Sequence, residues 1–339
     1  MKALRISRVG DPDVLQLDSL PEPEPGAGQV RVRVAYAGIN FADIMARKGM
    51  YPDAPPLPAC MGYEFSGHVD AVGEGVEAFR PGQPVFGLSR FNAQAEKVVV
   101  NANQLFHVPD GLALPEAAAI PVNYLTAWVL LRVMGSLAPE DTVLIHNAGG
   151  GVGLAVIDIA RQVGARMIGT ASGRKHEFLR ERGCHELVDY TRDDWFDRVM
   201  ALTDHRGVEL VLDPIGGAHL KKSYRALRAT GRLGMFGIST ASEGGAGRWL
   251  GMARMAIGMP FFHPVGLMNG NRAVFGVNMG HLWHEPEKVR RWMADLLTGV
   301  KEGWVRPHVD KVFTAEEGAE AHRYIESRMN RGKVLLDFS

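Results

Sequence analysis

Cysteine is almost absent from the chain, and that absence removes two function classes at once. The 339 residues contain two, Cys60 and Cys184, far apart and outside any CxxC spacing. A disulfide framework and a zinc site built from cysteines are therefore both excluded, and the two thiols read as buried side chains. An excess charge of either sign is lacking as well, because Lys plus Arg and Asp plus Glu each total 38. No net field steers such a chain onto nucleic acid or an anionic membrane, so a small molecule is the expected partner. Long apolar runs are missing too. The most apolar later stretch, residues 249–268, is broken by Arg254, Pro260, His263 and Pro264, short of the roughly 20 apolar residues of a spanning helix. The opening Met1-Lys2-Ala3-Leu4-Arg5-Ile6 alternates as a strand does, so no signal peptide and a cytoplasmic location are expected.

What is present is length enough for two domains, with a cleft between them as the default ligand site. Up to about residue 121 the pattern is short alternating runs punctuated by Gly and Pro: 29–35, 64–72, 84–88, 96–100 and 105–108. This part reads as a β-rich, partly barrelled domain. The run Pro21-Glu22-Pro23-Glu24-Pro25-Gly26 is a surface connection, since each proline removes a backbone donor. Beyond about residue 122 strands alternate with amphipathic helices. Strands are expected at 142–146, 166–170, 187–190, 209–213, 232–236 and 273–277, and helices at 152–163, 176–182, 218–229 and 286–300. That alternation predicts a doubly wound parallel sheet with right-handed crossovers. The final Val334-Leu335-Leu336-Asp337-Phe338 is expected to return as a strand to the first domain.

The chemistry is most legible at His146-Asn147-Ala148-Gly149-Gly150-Gly151-Val152-Gly153, which follows a strand and opens a helix. Glycines there make a tight turn and let backbone approach a pyrophosphate, which sits on the unpaired N–H groups of the helix start. Ala148, Gly150, Gly151, Val152 and Gly153 are accordingly candidate cofactor contacts, although the strict GxGxxG spelling is not met. At the end of the second strand an NAD enzyme places an acid on the ribose hydroxyls. Here the segment is Gly169-Thr170-Ala171-Ser172-Gly173-Arg174-Lys175-His176, with no acid. A hydroxyl and two cations stand where a 2′-phosphate would lie, so Ser172 and Lys175 point to NADPH, with Tyr190 at the end of the third strand beside them.

Taken together, Gly38-Ile39-Asn40-Phe41-Ala42-Asp43, the glycine-rich run 71–82, Ala148 to Gly153, Asp213-Pro214-Ile215-Gly216-Gly217 and Gly332-Lys333-Val334-Leu335-Leu336 resemble the quinone oxidoreductases of the medium-chain dehydrogenase/reductase superfamily. Asn123-Tyr124-Leu125-Thr126-Ala127, Lys175-His176-Glu177, Asn271-Arg272-Ala273-Val274 and Arg306-Pro307-His308-Val309-Asp310 are similar to the branch of the synaptic vesicle amine transport protein homologues. The resemblance implies an α/β chain: a GroES-like catalytic domain (1–122), a Rossmann NADPH-binding domain (123–280), and a C-terminal part (281–339) returning to the first. It also implies that Asn40 and Thr126 lie near the nicotinamide, with Tyr51 at the mouth of the cleft. Gly237, Phe275, Val277 and Lys333 complete the implied cofactor contacts. A homodimer is implied through the edge strand at Phe275-Gly276-Val277-Asn278.

Departures from the family are as informative. Zinc-dependent relatives carry a cysteine at Asn40 and a His-Glu pair at Tyr63-Glu64, so no metal ligands are expected, and none of the twelve histidines shows ligand spacing. Met45 stands where quinone reductases often carry a tyrosine. Without a Lewis acid a simple ketone is a poor hydride acceptor, whereas a quinone or an α,β-unsaturated carbonyl spreads the developing charge into a phenolate or enolate. Tyr63 is the candidate proton donor. A second class of reading, a low-turnover NADPH-binding protein acting through a partner or membrane surface, stays open at this point. A zinc alcohol dehydrogenase is disfavoured. Met252, Met255, Met259, Phe261 and Phe262 form a soft apolar stretch suited to bulky ligands, or to covering a cleft or a dimer contact.

Overall fold

The computed structural model describes residues 1–242 and 258–339. The chain folds as two units, one made of residues 1–125, 279–303 and 307–339 and the other of residues 126–278 and 304–306. The first unit holds β1 (Lys2–Ile6), β2 (Leu15–Ser19), β3 (Gln29–Ile39), α1 (Phe41–Arg47), β4 (Ala59–Cys60), β5 (Glu64–Val72), β6 (Pro84–Leu88), β7 (Lys97–Asn101), β8 (Leu105–His107) and α2 (Leu114–Ala118). Helix α3 (Pro121–Trp128) carries the chain into the second unit. There follow β9 (Thr142–Ile145), α4 (Gly151–Val163), β10 (Arg166–Ala171), α5 (His176–Glu181), β11 (Glu186–Asp189), α6 (Trp195–Leu202), β12 (Val208–Asp213), α7 (His219–Arg225), β13 (Leu227–Met235), α8 (Pro264–Gly270) and β14 (Ala273–Gly276). The chain ends in the first unit with α9 (Pro286–Lys301), β15 (Val309–Thr314), α10 (Gly318–Glu326) and β16 (Lys333–Asp337).

In the first unit β3 is the organising strand. Val30, Val32 and Val34 alternate inward while Arg31 and Arg33 point away, the period-2 pattern of a half-buried strand. Its first half pairs antiparallel with β7 and its second half with β16, while β5 runs along the other side, with register shifts that bend it. Val30, Val32, Val34, Phe65, Val85 and Leu105 close one core, and Leu4, Ile6, Ile39, Met61, Phe313 and Leu336 another. The final strand therefore does return to the first unit, as its apolar run implied.

The second unit is a six-stranded sheet in the order β11-β10-β9-β12-β13-β14, every pair parallel. Counted within the unit the order is 3-2-1-4-5-6, which reverses between β9 and β12 and puts the ligand crevice at the carboxyl ends of those strands. Helix α4 lies on the sheet through Leu154, Ala155, Val156, Ile157, Ile159 and Ala160, all buried, and stops at Gly164 in a left-handed cap (φ 87°).

Three sequence expectations shift here. The helix expected over 218–229 ends at Arg225, because Leu227 is 1% exposed and pairs with Val208 at the head of a nine-residue strand. Helix α6, which the alternation did not single out, starts where the Asp194 carboxylate accepts the Phe196 N–H at 2.9 Å. The apolar stretch divides. Met252 and Met255 lie outside the described residues, Phe262 packs on Tyr224 with ring centroids 5.2 Å apart, and Phe261 is 86% exposed. Among the described residues no helix is long and apolar enough to cross a membrane.

Candidate active site

The glycine turn forms as its residue types require. After β9, Asn147 takes a left-handed conformation (φ 56°), and the Ala148 N–H donates to the Thr170 carbonyl of the neighbouring strand at 3.1 Å. Gly150 caps α4, and the first helical bond runs from the Leu154 N–H to the Gly150 carbonyl at 3.0 Å. The N–H groups of Gly151, Val152 and Gly153 precede that bond and have no intrahelical acceptor, which makes an anion seat. A Cβ on Gly153 would lie 2.4 Å from the Ala148 carbonyl oxygen, so only glycine lets the helix start this close to the turn. These features fit a dinucleotide pyrophosphate.

At the end of β10 one cation is buried, Lys175, and one exposed, Arg174. Lys175 is 5% exposed, and a Cβ on Gly149 would lie 2.7 Å from Lys175 Cδ and 3.6 Å from Nζ, so the lysine lies across the glycine turn itself. Ser172 and Arg174 stand further along the strand end. An acid the sequence reading missed is also here, contributed by the third strand instead of the second. The Asp189 Oδ2 atom lies 2.6 Å from where a Cβ of Gly173 would be, while Oδ1 accepts from the Thr191 N–H and Oγ1 at 3.0 and 2.6 Å. The Thr191 hydroxyl bond in particular holds the Asp189 carboxyl below its ordinary range. Tyr190 beside it is 41% exposed. Gly237 and Val277 follow β13 and β14 at the same carboxyl edge, where the Val277 N–H donates to the Met235 carbonyl at 2.8 Å. Phe275 lays its ring against Gly234, 2.7 Å from a Cβ placed there, and Thr126 is buried in α3.

In the first unit a second constellation is built at the start of α1. The Asn40 N–H donates to Asp43 Oδ2 at 2.8 Å, half of a capping box. The Asn40 side chain donates through Nδ2 to Glu64 Oε1 at 2.9 Å and accepts through Oδ1 from Lys333 Nζ at 2.7 Å. Lys333 and Glu64 form a direct ion pair, with side chains 3% and 0% exposed, and Glu64 Oε2 also accepts the Val122 N–H at 2.7 Å. Gly38 makes room for the pair, since a Cβ there would fall 2.6 Å from Lys333 Cε and 2.7 Å from Glu64 Cγ. Asp43 is fully buried. Burial pushes its carboxyl up to about 7, against the pull of the Asn40 and Gly62 N–H groups and the Lys333 charge.

Lys333, an implied cofactor contact, has its ammonium held by Glu64 and Asn40. Tyr63 was the candidate proton donor. It is 7% exposed, packed on Phe91 with centroids 4.6 Å apart and edge-on to Tyr51 at 6.2 Å. Burial, with Asp43 and Tyr51 adding to it, raises its phenol above the ordinary tyrosine range, so it is a poorer acid than a phenol in water. Its place is in the core, beneath the half-buried Tyr51.

The residues also speak to a catalytic metal. At Asn40 and Glu64, which the resemblance equates with zinc-ligand positions, the side chains surround a cation already, the Lys333 ammonium. That donor set does not fit zinc. Among the described residues, a single group of His, Cys, Asp and Glu has metal-ligand spacing, His146 with Asp213 and His219, and it belongs to the second unit.

Comparison with known proteins agrees with both units. Residues 26–110 match the alcohol dehydrogenase GroES-like domain, and residues 182–336 match the model described as zinc-binding dehydrogenase. The human synaptic vesicle membrane protein VAT-1 homolog is 38% identical over 99% of this chain and 86% of its own length. The solved structure of a mycobacterial protein complexed with NADPH superposes with a TM-score of 0.88 at 30% identity, covering 99% of this chain and all of that one. The Escherichia coli quinone oxidoreductase complexed with NADPH gives a TM-score of 0.88 at 26% identity, over 99% and 100% of the two chains. Similarity of this extent makes the chain a member of the medium-chain dehydrogenase/reductase superfamily, in the branch of the VAT-1 homologues.

Proposed function

We propose that this protein is an NADPH-dependent reductase that transfers hydride to a quinone or an α,β-unsaturated carbonyl without a catalytic metal. What supports this reading is a dinucleotide seat at the start of α4 in the second unit and, in the first, a polar cluster in which Lys333 Nζ bonds Asn40 and Glu64. NADPH complexes among the similar structures support the choice of cofactor.

NADPH, when bound, supplies the hydride; the chain's own residues bind and orient. The N–H groups at the start of α4 and the Lys175 ammonium take the pyrophosphate. Ser172 and Arg174 take the 2′-phosphate, with the Asp189 carboxylate nearby limiting their advantage, so the preference over NADH is expected to be tenfold or somewhat more, about 1.4 kcal/mol. In the first unit Lys333 and Glu64 fix which way the Asn40 amide faces. The second Nδ2 hydrogen is then a donor of defined direction for a substrate oxygen. One amide stabilises less charge than a divalent cation, which favours conjugated acceptors over simple ketones. With Tyr63 withdrawn into the core, the final proton comes from water.

Chelator-treated protein mixed with NADPH and a panel of quinones and alkenals should consume reduced nicotinamide, while saturated ketones should leave it untouched. Binding without consumption across the whole panel would instead support a low-turnover nucleotide-binding protein, and activity restored only by zinc would return the chain to the alcohol dehydrogenases. We also propose that two copies pair through the outermost strand β14, at the sheet edge, where Ala273 and Gly276 are exposed and Val274 and Phe275 half-buried. Sedimentation at micromolar concentration should give the mass of two chains, and a monomer would remove that proposal.

A further inference from the structure

The switch point of the second unit holds four side chains from three elements in one small cluster. His146 follows β9, Asp213 ends β12, and His219 and Ser223 lie one turn apart on α7. The Ser223 hydroxyl donates to Asp213 Oδ2 at 2.6 Å and lies 3.3 Å from both His146 Nε2 and His219 Nδ1. His219 Nδ1 is 2.8 Å from the same Asp213 oxygen. The ligand atoms of the two histidines and the aspartate all fall within 4.8 Å of one another.

Bonds of about 2.0 to 2.1 Å in a tetrahedron put neighbouring donors about 3.3 Å apart. Of the six edges, two at 3.3 Å match that value, two at 2.6 and 2.8 Å are shorter, and the two between His146 and the other ligands lie within 4.8 Å, so an ion is admitted once Asp213 Oδ2 moves outward from Ser223 and His219. The surroundings suit one. His146 Nδ1 bonds the Thr170 hydroxyl at 3.1 Å, and Asp213 Oδ1 accepts the Ile215 and Gly216 N–H groups at 2.7 and 3.1 Å, outer partners that aim both ligands inward. An ion would take the place of the proton shared between His219 Nδ1 and Asp213 Oδ2, so binding releases a proton. Trp195 covers both imidazoles, with centroids 4.5 and 4.9 Å away, while the His219 side chain, 18% exposed, leaves a way in.

We propose that His146, Asp213, His219 and Ser223 bind one divalent transition-metal ion of the zinc class. All four positions come from protein, so the site is closed and structural, clamping the start of α7 to the ends of β9 and β12. It offers no open position to a substrate and takes no part in hydride transfer, so it is separate from the metal site of the zinc-dependent relatives.

The test uses the full, untagged chain stripped with chelator and titrated with Co2+ alone. One equivalent should bind, with the visible absorption of a tetrahedral N/O site, and Zn2+ should displace it and raise the melting temperature. His219→Ala, at the partly exposed corner, should weaken binding at least tenfold and abolish the band. His219→Gln, which keeps a polar side chain of similar size, should do the same. Ser223→Ala should retain binding but alter the band as water replaces the hydroxyl. Absence of a stoichiometric site, or a band unchanged in both His219 variants, would mean a hydrogen-bonded cluster only and would overturn the proposal.

Discussion

Lys333→Met is expected to lower the unfolding free energy by about 3 to 5 kcal/mol, the cost of leaving one member of a buried ion pair without its partner. Glu64 is fully buried and would keep two donors, the Asn40 amide and the Val122 N–H, neither carrying a charge. Two neutral hydrogen bonds do not compensate a carboxylate out of water. The double variant Glu64→Gln with Lys333→Met removes both charges together and should recover most of the loss. The midpoint of urea unfolding at constant slope reads the difference. If the single variant unfolds at the same midpoint as the unaltered protein, the ammonium is not the cation that organises this cluster. The same substitution frees the Asn40 amide to rotate, so activity toward a quinone should fall even where the fold survives.

The second expectation concerns which charge sees which phosphate. Lys175 lies over Gly149, on the turn that faces the pyrophosphate, a group NADPH and NADH share. Lys175→Ala is therefore expected to weaken both cofactors by tenfold or more, the loss of a charge-assisted bond of about 1.5 to 3 kcal/mol, with their ratio nearly unchanged. On the proposed reading the ratio belongs to Ser172 and Arg174, so replacing both with alanine should bring NADPH toward NADH while leaving NADH where it was. Calorimetric titration of each variant with each cofactor separates the two effects. Selective loss of NADPH in Lys175→Ala would instead move the lysine to the 2′-phosphate.

How much of this could be read from the sequence follows from the range of the interactions. Strands 64–72 and 84–88 were legible to the residue because alternation is local. Helix α4 was legible because a glycine turn and an apolar stripe announce it together. The helix expected over 218–229 was overrun because Leu227 satisfies a helical stripe equally well, and only its pairing with Val208 in the parallel sheet turns it into a strand. Long-range chemistry was hidden. Glu64 and Lys333 are 269 positions apart, and His146 meets Ser223 across 77, brought together by the adjacency of β9 and β12 and not by any spacing a motif search would find. Asp189 escaped because an acid is sought after the second strand, whereas this carboxylate closes the third. The burial of Tyr63 was hidden for a related reason, since Tyr51 and Phe91, the rings it packs against, come from separate segments of the chain.

Every other assignment in the proposed reaction depends on a phosphorylated dinucleotide seated at the start of α4. Calorimetric titration of the unaltered protein with NADPH and with NADH, at one salt concentration, tests it most directly. NADPH bound at one per chain and at least tenfold more tightly than NADH is the expected result. Equal affinity for the two, or no binding of either, would contradict it.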